Sequence, residues 1–423
     1  LYHSFDRKTR FFLLHERRKW IANRVEVYYN SDVKELTTNF RRFIMQFKLE
    51  QKVQVAVTYD LAGSIAEILS ARGWHKPMVL CSGFQLKQEP IAKMVDSLTD
   101  CTVFDDLVSD PPAHFINHVA ELFTENGCDC LIAIGGGSAI DTARGVNIVR
   151  TLGGKIEDYV SKKEVSTYCH GLIAVPTTSG TGSELSNALV VSDDETHAKL
   201  AVLSNNAVSE YALLCPPLAA SLPAQMTAAC GMDAFAHAAE AYTSGISSPV
   251  TDCICEKVMY LLAKYLPQAV ANGYDLEARE RVMIAACLAG WMLNNAGTHL
   301  GHSQAHILGA KFRIPHGSAC AYALPGTMLY TAETNVKKVK EIGLILGAEF
   351  PADPTDLEVG RITADRIRYF RDTVLGLKPW SEYGISKEQV LDCAAEVAKE
   401  RFAGNYPQPV TEELCRRMLE QWG

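Results

Sequence analysis

No Cys-x-x-Cys pair occurs in the 423 residues, although thirteen cysteines are present. The nearest pairs, Cys128/Cys130 and Cys253/Cys255, leave one residue between thiols that a strand or a helix would point apart. That excludes a zinc ribbon. The odd, scattered set reads as small buried hydrophobes in a reducing, cytoplasmic compartment. Long apolar runs are missing too. The longest charge-free stretches, between Glu210 and Asp233 and between Arg313 and Glu333, are broken by Pro and Gly, so no membrane span is expected. No secretory signal is visible, but the chain starts at Leu1 rather than Met, which leaves a trimmed targeting segment open. Positive charge is short: 41 Lys and Arg against 49 Asp and Glu give a net charge of −8, which argues against nucleic acid as a partner. No internal repeat or low-complexity tract is found.

What is present is an ordinary globular composition, 48% hydrophobic and 21% charged, on a chain long enough for two cores. Residues 1–52 stand apart as an extension. Seven Lys and Arg fall in the first twenty-four residues and suggest a basic helix, either solvated and packed on the protein or an arm for an anionic surface. A short strand at 25–29 and an apolar-periodic helix at 33–47 follow. From Val53 short apolar strands alternate with helices: strands at 53–58, 77–82, 101–106, near 130 and near 172, helices at 61–74, 89–98, 113–126 and after Gly137. That order predicts an α/β N-terminal doubly wound parallel-sheet nucleotide-binding domain over 53–215. Residues 189–193 and 198–204 read as a hairpin. From 216 to 423 the periodicity is helical, at 223–243, 249–271, 276–297, 298–310, 332–346, 358–374, 387–399 and 411–421. This predicts an all-α C-terminal domain.

Two glycine-rich loops follow predicted strands. Gly135-Gly136-Gly137-Ser138 opens a helix that carries Asp141 early. Glycines let a pyrophosphate approach the free N–H groups and the positive helix end. The pattern is not GxGxxG, and alone it reads equally as a plain tight turn. Pro176-Thr177-Thr178-Ser179-Gly180-Thr181-Gly182-Ser183-Glu184 reads as a phosphate, ribose or nicotinamide lining, or as a polar helix cap. Two such loops at the carboxyl ends of successive strands favour a dinucleotide crevice.

The helical half concentrates metal-type donors. Four of the twelve histidines, His299, His302, His306 and His316, lie between Gly297 and Gly317. His302 and His306 share a helix face, and His316 sits in a Pro-His-Gly sequence that reads as a turn. Asp233 and His237 share another helix face. Each pair alone reads as structural; together, beside a nucleotide crevice, they form the ligand set of a catalytic divalent ion. His299 reads as a residue behind the ligands or on the surface.

The segments GGGSAIDTARG (135–145), PTTSGTGSE (176–184), GMDAFAHAAEAYTS (231–244) and HSQAHILGAKFRIPHG (302–317) resemble the iron-dependent, group III alcohol dehydrogenases. FAGNYPQPVTEEL (402–414) adds to the likeness, which runs from about Val53 to the end. The resemblance implies metal ligands Asp233, His237, His302 and His316, with His306 as a proton relay near the substrate. It implies cofactor contacts from Gly135, Gly136, Gly137, Ser138 and Asp141, from Thr177, Thr178 and Thr181, and from Lys199. The implied metal is Fe²⁺, with Zn²⁺ expected to bind the same donors at least as tightly. The implied reaction is NAD(P)-linked hydride transfer with a small alcohol or aldehyde, in a homodimer or larger homo-oligomer.

Two features depart from that pattern. The acidic residue that many NAD-preferring members carry after the second strand is replaced by Cys81-Ser82-Gly83. This leans toward NADPH, with Ser82, Gly83 and Lys87 near a 2′-phosphate. Asp110 stands where the family often has Asn. The alternatives are a redox-neutral enzyme like dehydroquinate synthase, a transhydrogenase that keeps its cofactor, or a non-enzymatic metal- or nucleotide-binding protein.

Overall fold

The computed structural model describes residues 49–160, 163–195 and 199–423. The basic segment and the strand and helix expected at 25–29 and 33–47 lie outside the described residues.

Strand and helix alternate from the start of this region. The order is β1 (Gln54–Val57), α1 (Leu61–Arg72), β2 (Pro77–Leu80), α2 (Glu89–Ser97), β3 (Thr102–Phe104), α3 (Ala113–Glu125), β4 (Cys130–Gly135) and α4 (Gly137–Leu152). A short α5 (Ile156–Tyr159), β5 (Leu172–Pro176), β6 (Ala188–Ser192), β7 (Lys199–Leu203) and β8 (Tyr211–Leu214) follow. Six strands form one parallel sheet in the order β1-β8-β5-β4-β2-β3, and β6 and β7 pair as an antiparallel hairpin.

The period of two in the strand sequences divides the core into two layers. Met78, Leu80, Leu131, Ala133, Leu172 and Ala174 face one way, onto Ile116, Val119 and Phe123 of α3 and Ile140, Ala143 and Val146 of α4. Val79, Cys130, Ile132, Ile134, Ile173 and Val175 face the other, onto Leu61, Ile65 and Leu69 of α1 and Ile91 and Met94 of α2. All six residues of β4 are buried, as expected for a central strand covered on both faces. β1 is an edge strand, and each of its four residues is exposed.

β8 is absent from the sequence reading, which names no strand between the hairpin and residue 216. Tyr211–Leu214 runs parallel to β1 and β5 and separates them. Four apolar residues at the head of a long charge-free stretch carry no alternation, so only the pairing reveals the strand. The chain moves from β2 to β3 on one side and from β4 to β5 and β8 on the other. The strand order therefore reverses between β2 and β4, which opens a crevice at their carboxyl ends.

Helices make up the rest of the described chain. A one-turn α6 (Pro216–Ala219) leads to α7 (Ala224–Thr243), α8 (Pro249–Ala271), α9 (Leu276–Asn295), α10 (Leu300–Phe312), α11 (His316–Ile345) and α12 (Asp356–Tyr369), with shorter helices to Leu419. α7 is rich in alanine and is buried on nearly every side, so it runs through the middle of this layer. A second departure lies here. Pro315-His316-Gly317 is not a turn tip: Pro315 caps α11 and His316 is its first residue. α11 covers the stretch left unassigned before 332, through Pro325, and bends at Asn335, whose side chain donates to Thr243 O at 3.1 Å.

The two halves meet without room for a methyl group. Gly182 has φ +58, and a Cβ there would lie 2.5 Å from Ala286 O; one on Gly290 would lie 2.1 Å from Gly182 O. The second glycine-rich loop is thereby pressed onto α9.

Candidate metal centre and nucleotide crevice

α7 sets Asp233, His237 and Glu240 at positions i, i+4 and i+7, one stripe on one face. α10 brings His302, and the first turn of α11 brings His316. Asp233, His237, His302 and His316 each offer a donor atom, and all four atoms lie within 4.8 Å of one another. Asp233 Oδ1 lies 3.7 Å from His237 Nε2, 3.6 Å from His302 Nε2 and 3.4 Å from His316 Nε2. Donors about 2.1 Å from one tetrahedral ion would be about 3.4 Å apart. Asp233 Oδ1 is buried and accepts no hydrogen bond within the protein. The donor set fits a divalent cation.

Glu240 is absent from the candidates read in the sequence, and it is the group that aims His302. Its Oε2 accepts the backbone N–H of His299, Gly301 and His302 at 2.8, 3.0 and 3.2 Å. Its Oε1 lies 2.6 Å from His302 Nδ1. That carboxylate can only accept, so Nδ1 carries a proton, and in the ligating form Nε2 turns a lone pair toward Asp233. Gly301 is required for the approach, because a Cβ there would fall 2.5 Å from Glu240 Oε1. The i, i+4, i+7 stripe is the available signal in the sequence. His299 is fully buried and bonds Thr243 Oγ1 through Nε2 at 2.9 Å, so it lies behind the ligands and not on the surface.

The charges in the cluster are strongly coupled. Burial would raise Asp233, but His237, His316 and His302 pull it far below the carboxylate range. Burial likewise opposes Glu240, yet His302 and His299 hold it at about 2. Burial pushes His237 down to about 4 and His316 to about 3 despite Asp233. For His302 burial is outweighed by Cys320, Glu240 and Asp233, and the ring is held well above its ordinary value.

His306 lies one turn beyond His302, its ring stacked on that of His316 with centroids 5.4 Å apart. Its Nδ1 is 3.1 Å from Glu400 Oε1. The other Glu400 oxygen accepts from Ser303 Oγ at 2.7 Å and from Phe402 N at 2.8 Å. Glu400, which carries no signal in the sequence, therefore orients His306 and caps the turn that follows.

The cofactor-type residues collect at the carboxyl edge of the sheet. Gly136 caps α4 without a side-chain bond, leaving the positive helix end to other partners. A Cβ on Gly136 would lie 3.4 Å from Thr178 Oγ1, and one on Gly137 would lie 3.3 Å from Thr181 Oγ1, so the two glycine-rich loops sit side by side. Gln85 Nε2 donates to Thr177 Oγ1 at 2.8 Å, tying the turn after β2 to the second loop. Asp110 has φ +49, a region Asp and Asn share, and its N–H donates to Ser138 Oγ at 3.2 Å. Its carboxylate pairs with Lys199 Nζ at 2.9 Å. Asp141 turns inward: it accepts from Ser183 Oγ and Val190 N, and burial raises it to about 6 despite Arg144. Arg144 is buried and donates to the carbonyls of Ser183, Ser186 and Ala188, pinning the second loop from beneath. Gly180 packs on α7, where a Cβ would lie 3.0 Å from Cys230 Cα. Cys230 is three residues before Asp233, so loop and metal helix are in contact. Ser82 and Gly83 form the turn after β2, and a Cβ on Gly83 would lie 3.7 Å from Asp105 Oδ2. Asp105, just after β3, thus lies close to the turn that follows β2.

A parallel sheet with paired glycine-rich loops, joined to an Asp/His cation cluster, defines a metal-dependent oxidoreductase of the alcohol dehydrogenase type. Residues 54–216 match the family model "Iron-containing alcohol dehydrogenase", and residues 227–422 match "Fe-containing alcohol dehydrogenase family, C-terminal". The chain is 31% identical over 366 residues to the NAD-dependent methanol dehydrogenase of Bacillus methanolicus, covering 85% of this chain and 96% of that protein. An alcohol dehydrogenase structure from Oenococcus oeni superposes with a TM-score of 0.84 at 29% identity, covering 89% of this chain and all (100%) of that one. The sulfoacetaldehyde reductase of Bifidobacterium kashiwanohense, solved in complex with NAD⁺, gives a TM-score of 0.79 at 27% identity, covering 89% and 98%. The chain belongs to the iron-containing alcohol dehydrogenase family.

Proposed function

We propose that this chain is a metal-dependent, NAD(P)-linked alcohol dehydrogenase or aldehyde reductase that moves hydride between a nicotinamide and a small alcohol or aldehyde. One observation carries the reading. Three imidazoles converge around an Asp233 oxygen with no protein partner, beside a glycine-rich loop seated on the same helix. The related proteins act, by their names, on methanol and sulfoacetaldehyde, which supports a small substrate.

In this reading residues 53–215 deliver the cofactor and 216–423 deliver the metal. Asp233, His237, His302 and His316 hold Fe²⁺, or Zn²⁺ where supply favours it. When bound, the cation polarises a substrate oxygen and the nicotinamide gives or takes the hydride. The protein's part is positioning. Gly135, Gly136, Gly137 and Ser138 bind the pyrophosphate through backbone N–H groups. Thr177, Thr178 and Thr181 line the dinucleotide, and Asp141 fixes their loop through Ser183. Asp110 and Lys199 close the rim as an ion pair. Glu240 holds the His302 tautomer. His306, oriented by Glu400 and partly open to solvent, holds the proton that leaves or reaches the substrate hydroxyl.

Both NAD and NADP are proposed as cofactors. The lean toward NADPH rests on Cys81-Ser82-Gly83, with Ser82 and Lys87 facing a 2′-phosphate, whereas Asp105 weighs toward NAD. The same reading includes a homodimer or larger homo-oligomer in the cytoplasm. Among the described residues no helix is long and apolar enough to cross a membrane. The test is a panel of primary alcohols and short aldehydes with iron- and zinc-loaded protein, reading reduced nicotinamide absorbance with both cofactors. Turnover is expected with at least one pair. No turnover with any pair overturns the proposal, and a strong kcat/KM preference for NAD removes the NADPH lean.

A further inference from the structure

Asp110 offers three polar groups, and each bonds a different element of the crevice rim. Its N–H donates to Ser138 Oγ, in the first turn of α4, at 3.2 Å. Its carbonyl accepts from Ser192 Oγ, at the end of β6, at 2.9 Å. Its carboxylate accepts from Lys199 Nζ, at the start of β7, at 2.9 Å. Ser192 N adds a bond to Pro111 O at 2.9 Å. One residue thus ties both strands of the hairpin to the first glycine-rich loop.

The turn needs the backbone of this residue but not its charge. Among the described residues only two other than glycine, Asp110 and Arg313, have positive φ. Asn tolerates that conformation as Asp does and would keep both main-chain bonds. The charge acts elsewhere. Gly136 caps α4 with no side-chain bond, so the positive helix end stays open to an anion. Asp110 opposes a phosphate there in two ways. Its own charge repels the anion, and its pairing occupies the Lys199 ammonium that would attract it. Lys199 and Asp110 are 42% and 59% exposed, so water screens their pair and an incoming phosphate can draw the lysine away.

We propose that Asp110 is a brake on cofactor binding: it holds Lys199 and sets a negative charge beside Ser138, which loosens the grip on the dinucleotide pyrophosphate and speeds its release. The inference rests on the reading that the first glycine-rich loop takes a dinucleotide. On binding, Lys199 turns from Asp110 toward the phosphates. On release the ion pair re-forms and competes with rebinding.

The test titrates NADH and NADPH, read by their fluorescence, into the zinc-loaded full chain at low and high salt, with stopped-flow displacement for the release rate. Asp110→Asn should tighten both dinucleotides roughly three- to tenfold, mainly through slower release, and the gain should shrink as salt rises. Asp110→Gly removes the same carboxylate on a backbone that glycine adopts freely, so it should tighten both as well, and the result does not hang on one variant folding. Lys199→Met should weaken binding more in the Asp110→Asn background than in the wild type, because only there is the lysine unpaired. Affinities that stay level or fall in folded Asp110→Asn and Asp110→Gly overturn this inference and leave the dinucleotide reading standing. A gain confined to NADPH also overturns it, since the pyrophosphate is common to both cofactors. Failure of the wild type and both variants to bind either dinucleotide overturns the inference together with the reading it rests on.

Discussion

Replacing Glu240 with Gln changes one atom type at the centre of the site. The carboxylate spends one oxygen on three backbone N–H groups and the other on His302 Nδ1. A glutamine has a single carbonyl oxygen. If it stays on the three N–H groups, its NH₂ faces Nδ1, and the imidazole must shift its proton to Nε2, the ligating atom. If it turns to Nδ1, the backbone of the α10 start loses its acceptor. The lost charge-assisted bond is worth about 1.5–3 kcal/mol. Removing a partner that orients a ligating histidine typically costs 10–100-fold in metal affinity, about 1.4–2.7 kcal/mol. The two estimates agree, and because the tautomer itself is at stake we expect roughly the hundredfold end. The assay is competition for Zn²⁺ against a chromophoric chelator, with circular dichroism as the folding control. A folded Glu240→Gln protein with zinc affinity within about twofold of wild type would refute the tautomer argument, since a 100-fold change is about 2.7 kcal/mol.

His302→Ala and His316→Ala should each lose stoichiometric metal while keeping the fold, checked by elemental analysis and circular dichroism; full occupancy in both removes them as ligands. His306→Ala should keep its metal but slow turnover and change the pH profile, and an unaltered profile reduces His306 to packing. The metal-free protein should be most stable near pH 6.5, the ordinary imidazole value. His237 and His299, held at about 4, stay neutral in the fold but protonate when unfolded, so stability falls as pH drops from about 6.5 toward 4. His302 is raised, so its contribution is complete below about 6.5 and fades as pH rises through its folded value. Each such group contributes at most about 1.4 kcal/mol per pH unit, and a monotonic Tm profile between pH 5 and 9 contradicts the assignment. Gly290→Ala should destabilise by about 1–3 kcal/mol, because its methyl meets Gly182 O; denaturant unfolding with no loss shows that the interface can open.

Much of the site is legible in the sequence because ligand spacing along a helix is a local property. Asp233 and His237 four apart face one way whatever surrounds them, and α10 and α11 then need only approach α7. The GGGS and TTSGTGS loops are legible for a similar reason, since glycine after a buried strand marks a carboxyl-edge turn. Glu240 stands on the same α7 stripe, but a lone glutamate on a helix is usually solvated; its burial against three backbone N–H groups is a tertiary fact. Glu400 lies 94 residues beyond His306, and nothing local joins them.

The sequence by itself determined the alternation of strands and helices, the two loop chemistries and the pool of Asp and His donors, because these follow from periodicity and residue type within a few turns of chain; the choice of four among them came from the family resemblance. The tertiary structure decided the rest. It inserted β8 between β1 and β5, made His316 the first residue of a long helix, carried Asp105 to the turn after β2, and brought Cys320 to the imidazoles. Each of these depends on which distant segments pack together, and close packing is a property of the assembled core and not of any window of sequence.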